Sequence, residues 1–202
     1  RAVSFWLDSL PADHNFTTRQ QLPGDITADV AIIGAGYTGL WTAYYLRQID
    51  PTLRVVIVEA EFAGFGASGR NGGWLSALLP MSFEKMAEQH GRDGAIAMQR
   101  CMHDTVDEVA RVTALEGIDC HLAKGGYLNL ARTQPQVRRV HELLEYYRSW
   151  GFGDEDYRWL TADEATARIN ASKVLGAGYT PHCAAIHPAR LVRGLAETVE
   201  RA

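Results

Sequence analysis

Cysteine is scarce, with only Cys101, Cys120 and Cys183 in 202 residues. An odd number at wide spacing builds no disulfide framework, so the thiols are read as reduced, in a cytoplasmic protein. No C-x2-C pair occurs. The adjacent pairs Cys120-His121 and His182-Cys183 place neighbours that rarely reach one ion, so no metal is expected. A basic excess is also missing. Twenty Lys and Arg stand against 24 Asp and Glu, a net charge of −4, which argues against a nucleic-acid surface. No apolar run reaches about 18 residues, so no transmembrane helix is expected. The first eight residues turn acidic too soon for a signal peptide, and the chain opens on Arg1 rather than Met, so residues are expected to precede it. Asn15-Phe16-Thr17 matches a glycosylation acceptor, which without a secretory signal is read as chance. No G-x-S-x-G nucleophile motif is found.

What is present is an ordinary globular composition, 47% hydrophobic and 22% charged, in a chain long enough to bury a core unaided. Residues 1–27 read as an arm packed on the first domain, anchored by Trp6. Ala28–Ile33 is short, apolar and rich in β-branched residues, the pattern of a buried parallel strand. Leu40, Ala43, Tyr44 and Arg47 then recur at helical spacing until Asp50-Pro51 ends the helix. Arg54–Val58 reads as a second buried strand, completing a βαβ unit. Farther on, Met98, Met102, Val106, Val109 and Val112 mark the core face of a long helix over 93–115. Residues 127–131 read as a strand. Residues 134–150 form a helix with Leu143, Leu144 and Tyr147 on one face and Gly151 as its cap. Thr161-Ala162-Asp163-Glu164 is a capping box. A strand is expected over 174–179, and Pro188 opens a last helix with Leu191, Val192, Leu195 and Val199 as its stripe. His187 before it is read as ending a strand or capping that helix, and Trp74 and Tyr127 as core aromatics before pocket ones.

The chemistry-bearing motif is Gly34-Ala35-Gly36-Tyr37-Thr38-Gly39. A lone G-x-G-x-x-G says little, but this one follows a strand, opens a helix and is followed twenty residues later by Glu59 at the end of the next strand. Gly34 permits the turn, Gly36 lets backbone approach a pyrophosphate, and Gly39 lets helix and strand pack closely. The helix N-terminus offers unpaired N–H groups and partial positive charge to phosphates. Glu59 suits the two hydroxyls of an adenosine ribose and repels a 2′-phosphate, which argues against NADP. A glycine-rich turn of some other α/β protein is the bland reading.

A second glycine-rich loop, Gly64 to Gly73, follows Glu59 closely, and such a loop brings backbone N–H groups to an extended ligand. Asp29 to Leu40, then Glu59, then Ala67-Ser68-Gly69-Arg70-Asn71-Gly72-Gly73 together resemble the D-amino-acid oxidase family of flavoproteins. The likeness is sharp over 28–76 and looser at Ala184–Val192. It implies an α/β, Rossmann-like FAD-binding βαβ domain with part of an α+β substrate domain: residues 1–90, 91–182 and a return segment 183–202. It implies non-covalent FAD held by Gly34, Gly36, Tyr37, Thr38, Gly39, Glu59, Ala67, Ser68, Arg70, Asn71, Gly72 and Gly73, and oxidation of a small amine or amino acid by hydride transfer to flavin. It places no catalytic residue in this chain. It also implies a longer whole protein, with this portion inactive, weak in flavin and prone to self-association. A non-catalytic dinucleotide-binding module and an NAD-dependent oxidoreductase are the alternatives.

Overall fold

The computed structural model describes residues 4–11 and 19–202, so Asn15-Phe16-Thr17 lies outside the described residues. In chain order the elements are α1 (Phe5–Asp8), β1 (Val30–Ile33), α2 (Tyr37–Ile49), β2 (Val55–Val58), a 3-10 turn (Ala67–Gly69), β3 (Trp74–Ser76), α3 (Phe83–Leu115), β4 (Tyr127–Ala131), α4 (Gln134–Ser149), β5 (Arg158–Thr161), α5 (Ala162–Thr166), β6 (Gly176–Thr180), β7 (Cys183–Ala185) and α6 (Pro188–Arg201). They form two compact units. The first holds the chain up to Gly73, Arg111–Leu122 and Ile186–Ala202; the second holds Trp74–Ala110 and Ala123–Ala185. Residues 74–90, expected with the first part, group with the second unit because β3 pairs antiparallel with β7.

In the first unit β1 and β2 pair in parallel, Val30 against Val55 through Ile33 against Val58. Helix α2 buries Leu40, Ala43 and Tyr44, and Leu40 and Tyr44 pack with Val112 and with Val192, Leu195 and Ala196 of α6. Full burial of each large aliphatic here contributes about 1.5–3 kcal/mol. The strands are not buried on both faces as their apolar run suggested. Burial alternates along β1, and Ile33 is 91% exposed. Val30 and Ile32 lie on the more buried side, with Ile32 beneath Gly39 of α2; no element of the described residues covers the other face, where a parallel sheet usually carries helices. At the N-terminal arm, Trp6 is an anchor: its Nε1–H donates to the Asn71 carbonyl at 2.6 Å. His187 caps α6, its Nδ1 accepting the Arg190 N–H at 3.2 Å.

In the second unit β6 stands between β4 and β5 in an antiparallel sheet. Its core gathers Phe83, Val140, Leu144, Trp150, Phe152 and Tyr157, with Phe83 stacked on Trp150 and Phe152. Gly151 closes α4 at φ 89°: its N–H reaches the Arg148 carbonyl and the next N–H, of Phe152, reaches Tyr147, the paired bonds of a Schellman cap. The Thr161–Glu164 capping box is present with both bonds. Two helix faces turn out differently. Helix α3 starts ten residues before Asp93 and is interrupted at Gly91, where φ is 72°. Its buried side in this unit carries Ala95, Gln99, His103, Val106 and Val109, while Met98 is half exposed. The polar pair occupies the core because it is bonded: Gln99 Nε2 donates to the Ala77 carbonyl at 2.9 Å, and His103 Nε2 meets the Tyr157 hydroxyl at 3.0 Å. On α4, Val140 and Leu144 are buried and Leu143 lies outside.

Candidate dinucleotide site

The turn between β1 and α2 is built on close backbone approaches. Gly34 sits at φ 98° and its N–H donates to the Val58 carbonyl at 2.8 Å. Gly39, in the first turn of α2, lies so near that a Cβ there would fall 2.2 Å from the Gly34 carbonyl oxygen and 3.1 Å from Ile32. Only hydrogen fits. Ala35, between the two glycines, is held at both ends. Its N–H donates to Glu59 Oε2 at 2.9 Å, and its carbonyl accepts the Gly64 N–H at 3.0 Å. Glu59 Oε1 accepts the Glu61 N–H at 3.1 Å. The exposed carboxylate is thus oriented by two backbone donors and retains further acceptor capacity toward solvent. Beside it opens a groove of about 900 Å³ lined by Ala35, Leu40, Val58, Glu59, Phe62 and Arg19 among others, within the size range of cofactor pockets.

The second loop meets this turn through Ser68. Its hydroxyl accepts the Tyr37 N–H at 2.9 Å and stands 3.0 Å from where a Gly36 Cβ would project. One of the α2 donors expected to be unpaired is therefore capped by a side chain. The next two, of Thr38 and Gly39, have no acceptor within the helix by its geometry. The Ser68 hydroxyl hydrogen remains available to point outward, carrying the helix end's donor character one group farther.

The remaining loop residues divide by what they touch. Asn71 is a staple: Nδ2 donates to the Ser68 carbonyl at 3.0 Å and the Ala67 carbonyl at 3.3 Å, and Oδ1 accepts the Gly73 N–H at 2.9 Å. The Tyr37 hydroxyl donates to the Pro188 carbonyl at 3.0 Å, and burial pushes its phenol well above the usual range. Arg70 is exposed, with its guanidinium 4.3 Å from the Phe65 ring centre. A Cβ at Gly72 would meet nothing. Gly34, Gly36, Thr38, Gly39, Glu59, Ala67 and Ser68 therefore gather at one helix end, while Tyr37 and Asn71 hold the elements that form it.

A cluster in the second unit escaped the sequence. His103 of α3, Asp156 and His182 come together although 53 and 26 residues separate them. His182 Nε2 lies 2.8 Å and His103 Nδ1 3.4 Å from the same Asp156 oxygen. The imidazoles stack at 3.6 Å with an interplanar angle of 3°. Parallel rings send their lone pairs along parallel lines, so one metal ion cannot lie in both ring planes. Burial, and then the neighbouring His182, push His103 down to about 4. The one sequence sign was polar Gln99 and His103 four apart on a helix. Of the Cys–His pairs the sequence offered as ligands, Cys183 Sγ accepts Trp74 Nε1–H at 2.6 Å and Cys120 is a buried free thiol. Among the described residues no helix is long and apolar enough to cross a membrane.

Residues 29–202 match the family described as FAD dependent oxidoreductase, DAO. γ-Glutamylputrescine oxidoreductase of Escherichia coli K12 is 30% identical over 174 residues, 86% of this chain and 40% of the relative. Glycine oxidase of Geobacillus kaustophilus superposes with a TM-score of 0.58 at 26% identity, covering 86% of this chain and 44% of that one. L-amino acid deaminase of Proteus myxofaciens, at 17% identity, shares the fold with a TM-score of 0.70 over 93% of this chain and 39% of its own. The chain spans about 40% of the length of the first two curated relatives it matches. An α/β chain with this turn and this match over most of its length belongs to the DAO family of FAD-dependent oxidoreductases.

Proposed function

We propose that the first unit binds the ADP half of FAD non-covalently, and that the chain serves as part of a longer enzyme oxidising a carbon–nitrogen bond of an amine or amino acid. The carrying observation is the coupling of the glycine turn to Glu59. The bond from the Ala35 N–H to Glu59 Oε2 fixes the carboxylate that would hold the ribose at one end of the same turn that presents helix donors. The pyrophosphate would lie over Gly36, where no Cβ intrudes, receiving donors from Thr38, Gly39 and Ser68 at the positive end of α2. The adenosine would occupy the groove beside Glu59. Arg70 and Gly72 border the path beyond, and Asn71 and Tyr37 act by keeping the loop and helix in place. Bound flavin supplies hydride acceptance; the protein binds and orients it. The substrate class rests on the relatives, whose names specify glutamylputrescine, glycine and L-amino acids.

Two measurements test this reading. Charge-assisted hydrogen bonds to hydroxyls contribute roughly 1.5–3 kcal/mol each, so Glu59→Ala should weaken FAD binding at least tenfold in a calorimetric titration. Glu59→Gln, which retains an acceptor for Ala35, should fall between. FMN, which lacks the adenosine, should bind equally to all three, and unchanged FAD affinity in Glu59→Ala removes the ribose role. For the reaction, the flavin of the whole protein should bleach anaerobically with an amine or amino acid. Bleaching by NADH alone, with a broad amine panel inert, identifies a reductase instead.

A further inference from the structure

Residues of α4, β4 and β6 in the second unit line a cavity of about 230 Å³. That is below the range of about 300–1,000 Å³ that holds drug-sized ligands, and it suits a single ring. Its rim is apolar and faces solvent through Trp74, Leu78, Tyr127 and Leu143, all exposed. Trp74, at 51%, and Tyr127, at 44%, hold their ring centroids 5.4 Å apart, so neither is the core residue the sequence favoured. Asn129 is the polar group of the wall. The strand register sets it opposite Gly178 of β6. A Cβ at Gly178 would stand 2.9 Å from Val140 Cγ1 of α4 and 3.9 Å from Asn129 Cβ. The Asn129 side chain therefore leaves the sheet on the face that α4 covers. It is half-buried, and among the described residues nothing hydrogen-bonds to its carboxamide. Its amide atoms keep accessible surface, whereas the unpaired Nδ1 of His182 is sealed.

We propose that this cavity binds a small uncharged aromatic carboxamide, its N–H and C=O paired with the Asn129 side chain and its ring against Trp74 and Tyr127. Charge selects a neutral occupant. No Asp, Glu, Lys or Arg lines the cavity, so an ion would lose water there without gaining a counter-charge. Asp156 stands behind His182, and its oxygen is already shared by His182 and His103. Arg158 and Arg168 lie over the Tyr179 ring, and the register places Arg158 and Tyr179 with Leu128 on the opposite face of the sheet from Asn129. Hydrogen bonding selects the amide. In either orientation the Asn129 carboxamide offers donors on one side and an acceptor on the other. A second carboxamide answers both, while an ether or ketone answers only the donor. The exposed rings supply the apolar contact. The walls lie entirely within the second unit, apart from the glycine turn, so this site stands independently of the FAD reading.

Benzamide, benzoate and benzamidine have nearly one shape and are neutral, anionic and cationic at neutral pH. Titrated into the full chain without added flavin, and followed by calorimetry and tryptophan fluorescence, benzamide should bind about tenfold more tightly than either ion. Asn129→Leu should lower benzamide affinity about tenfold and leave toluene unchanged. Asn129→Asp should reverse the order, with benzamidine about tenfold above benzamide, because a carboxylate accepts both N–H groups of an amidinium. That reversal reports contact with the ligand; a purely structural Asn129 would weaken all three probes alike. Should one variant unfold, the other decides, and should both unfold, the ranking of the three probes on the unsubstituted protein decides. No binding of benzamide, equal binding of the three, tightest binding of an ion to the unsubstituted protein, or benzamide affinity indifferent to both substitutions overturns the proposal. Because no flavin enters the titration, failure here is distinct from failure of the cofactor reading.

Discussion

Gly39→Val should produce a protein that retains no FAD and whose first unit unfolds at markedly lower urea concentration. The Cβ would be placed 2.2 Å from the Gly34 carbonyl oxygen and 3.1 Å from Ile32. The first neighbour is backbone, in a residue whose own N–H is paired to Val58, so it cannot step aside as a flexible side chain would. Relief requires lifting the first turn of α2 off β1. That turn is tied down by buried Leu40 and by the Tyr37 hydroxyl on Pro188. Overpacking of this kind costs about 1–3 kcal/mol or more, with valine's two γ-methyls adding to the Cβ clash. Lifting the turn also moves the Thr38 and Gly39 donors and the Tyr37 N–H held by Ser68. Stability and cofactor should therefore be lost together. Gly66→Ala is the matched control. A Cβ there meets nothing within 4 Å and the backbone is extended, so stability should stay within about 0.5 kcal/mol. A valine variant with normal flavin content and an unshifted midpoint would remove Gly39 from the site's architecture.

The parts of this architecture that were legible in the sequence are those fixed by local physics. The β1–α2–β2 unit was readable because glycine spacing, strand composition and helix period all act within thirty residues. The caps at Gly151, Thr161 and His187 were readable because each is a short-range bond. The hidden elements depend on distant partners. Strands β3 and β7 are three residues each and exist through their mutual pairing across the chain. Hydrophobicity assigned the face of α3 to Met98, yet Gln99 and His103 are the buried pair, because Ala77 and Tyr157 supply partners that no periodicity contains. The same holds for Asn71 and Tyr37. The resemblance named them with the cofactor set, and the fold uses their polar atoms to hold the loop and helix that shape the site.

Acidification should cost the second unit about 3 kcal/mol of stability between pH 6.5 and pH 4 through His103 alone. The side chain is almost wholly buried, and burial first, then His182, lower its folded-state value from 6.5 to about 4. Within that window the unfolded chain binds a proton that the folded chain refuses. Stability is therefore fully present above pH 6.5 and is lost as the pH falls toward 4. A shift of this size corresponds to about 3 kcal/mol. Asp156 and Asp104 favour the charged ring, while Arg100 and His182 oppose it. The strongest opposing contribution after burial is thus the stacked imidazole of His182. His103→Gln keeps a polar group for the Tyr157 hydroxyl and cannot titrate. Urea unfolding at pH 7.5, 5.5 and 4 should show the two proteins converging as pH falls, with the wild type losing about 3 kcal/mol more than the variant. Asp29, held at about 2 by hydrogen bonds from Arg54, contributes its own loss only below pH 3.8, and Glu84 and Glu164, held below the usual glutamate range by hydrogen bonds, begin to lose theirs below 4.5 in both proteins alike. Parallel stability curves for the two proteins would mean that His103 is charged in the folded state, and that the carboxylate of Asp156 outweighs burial in setting its protonation.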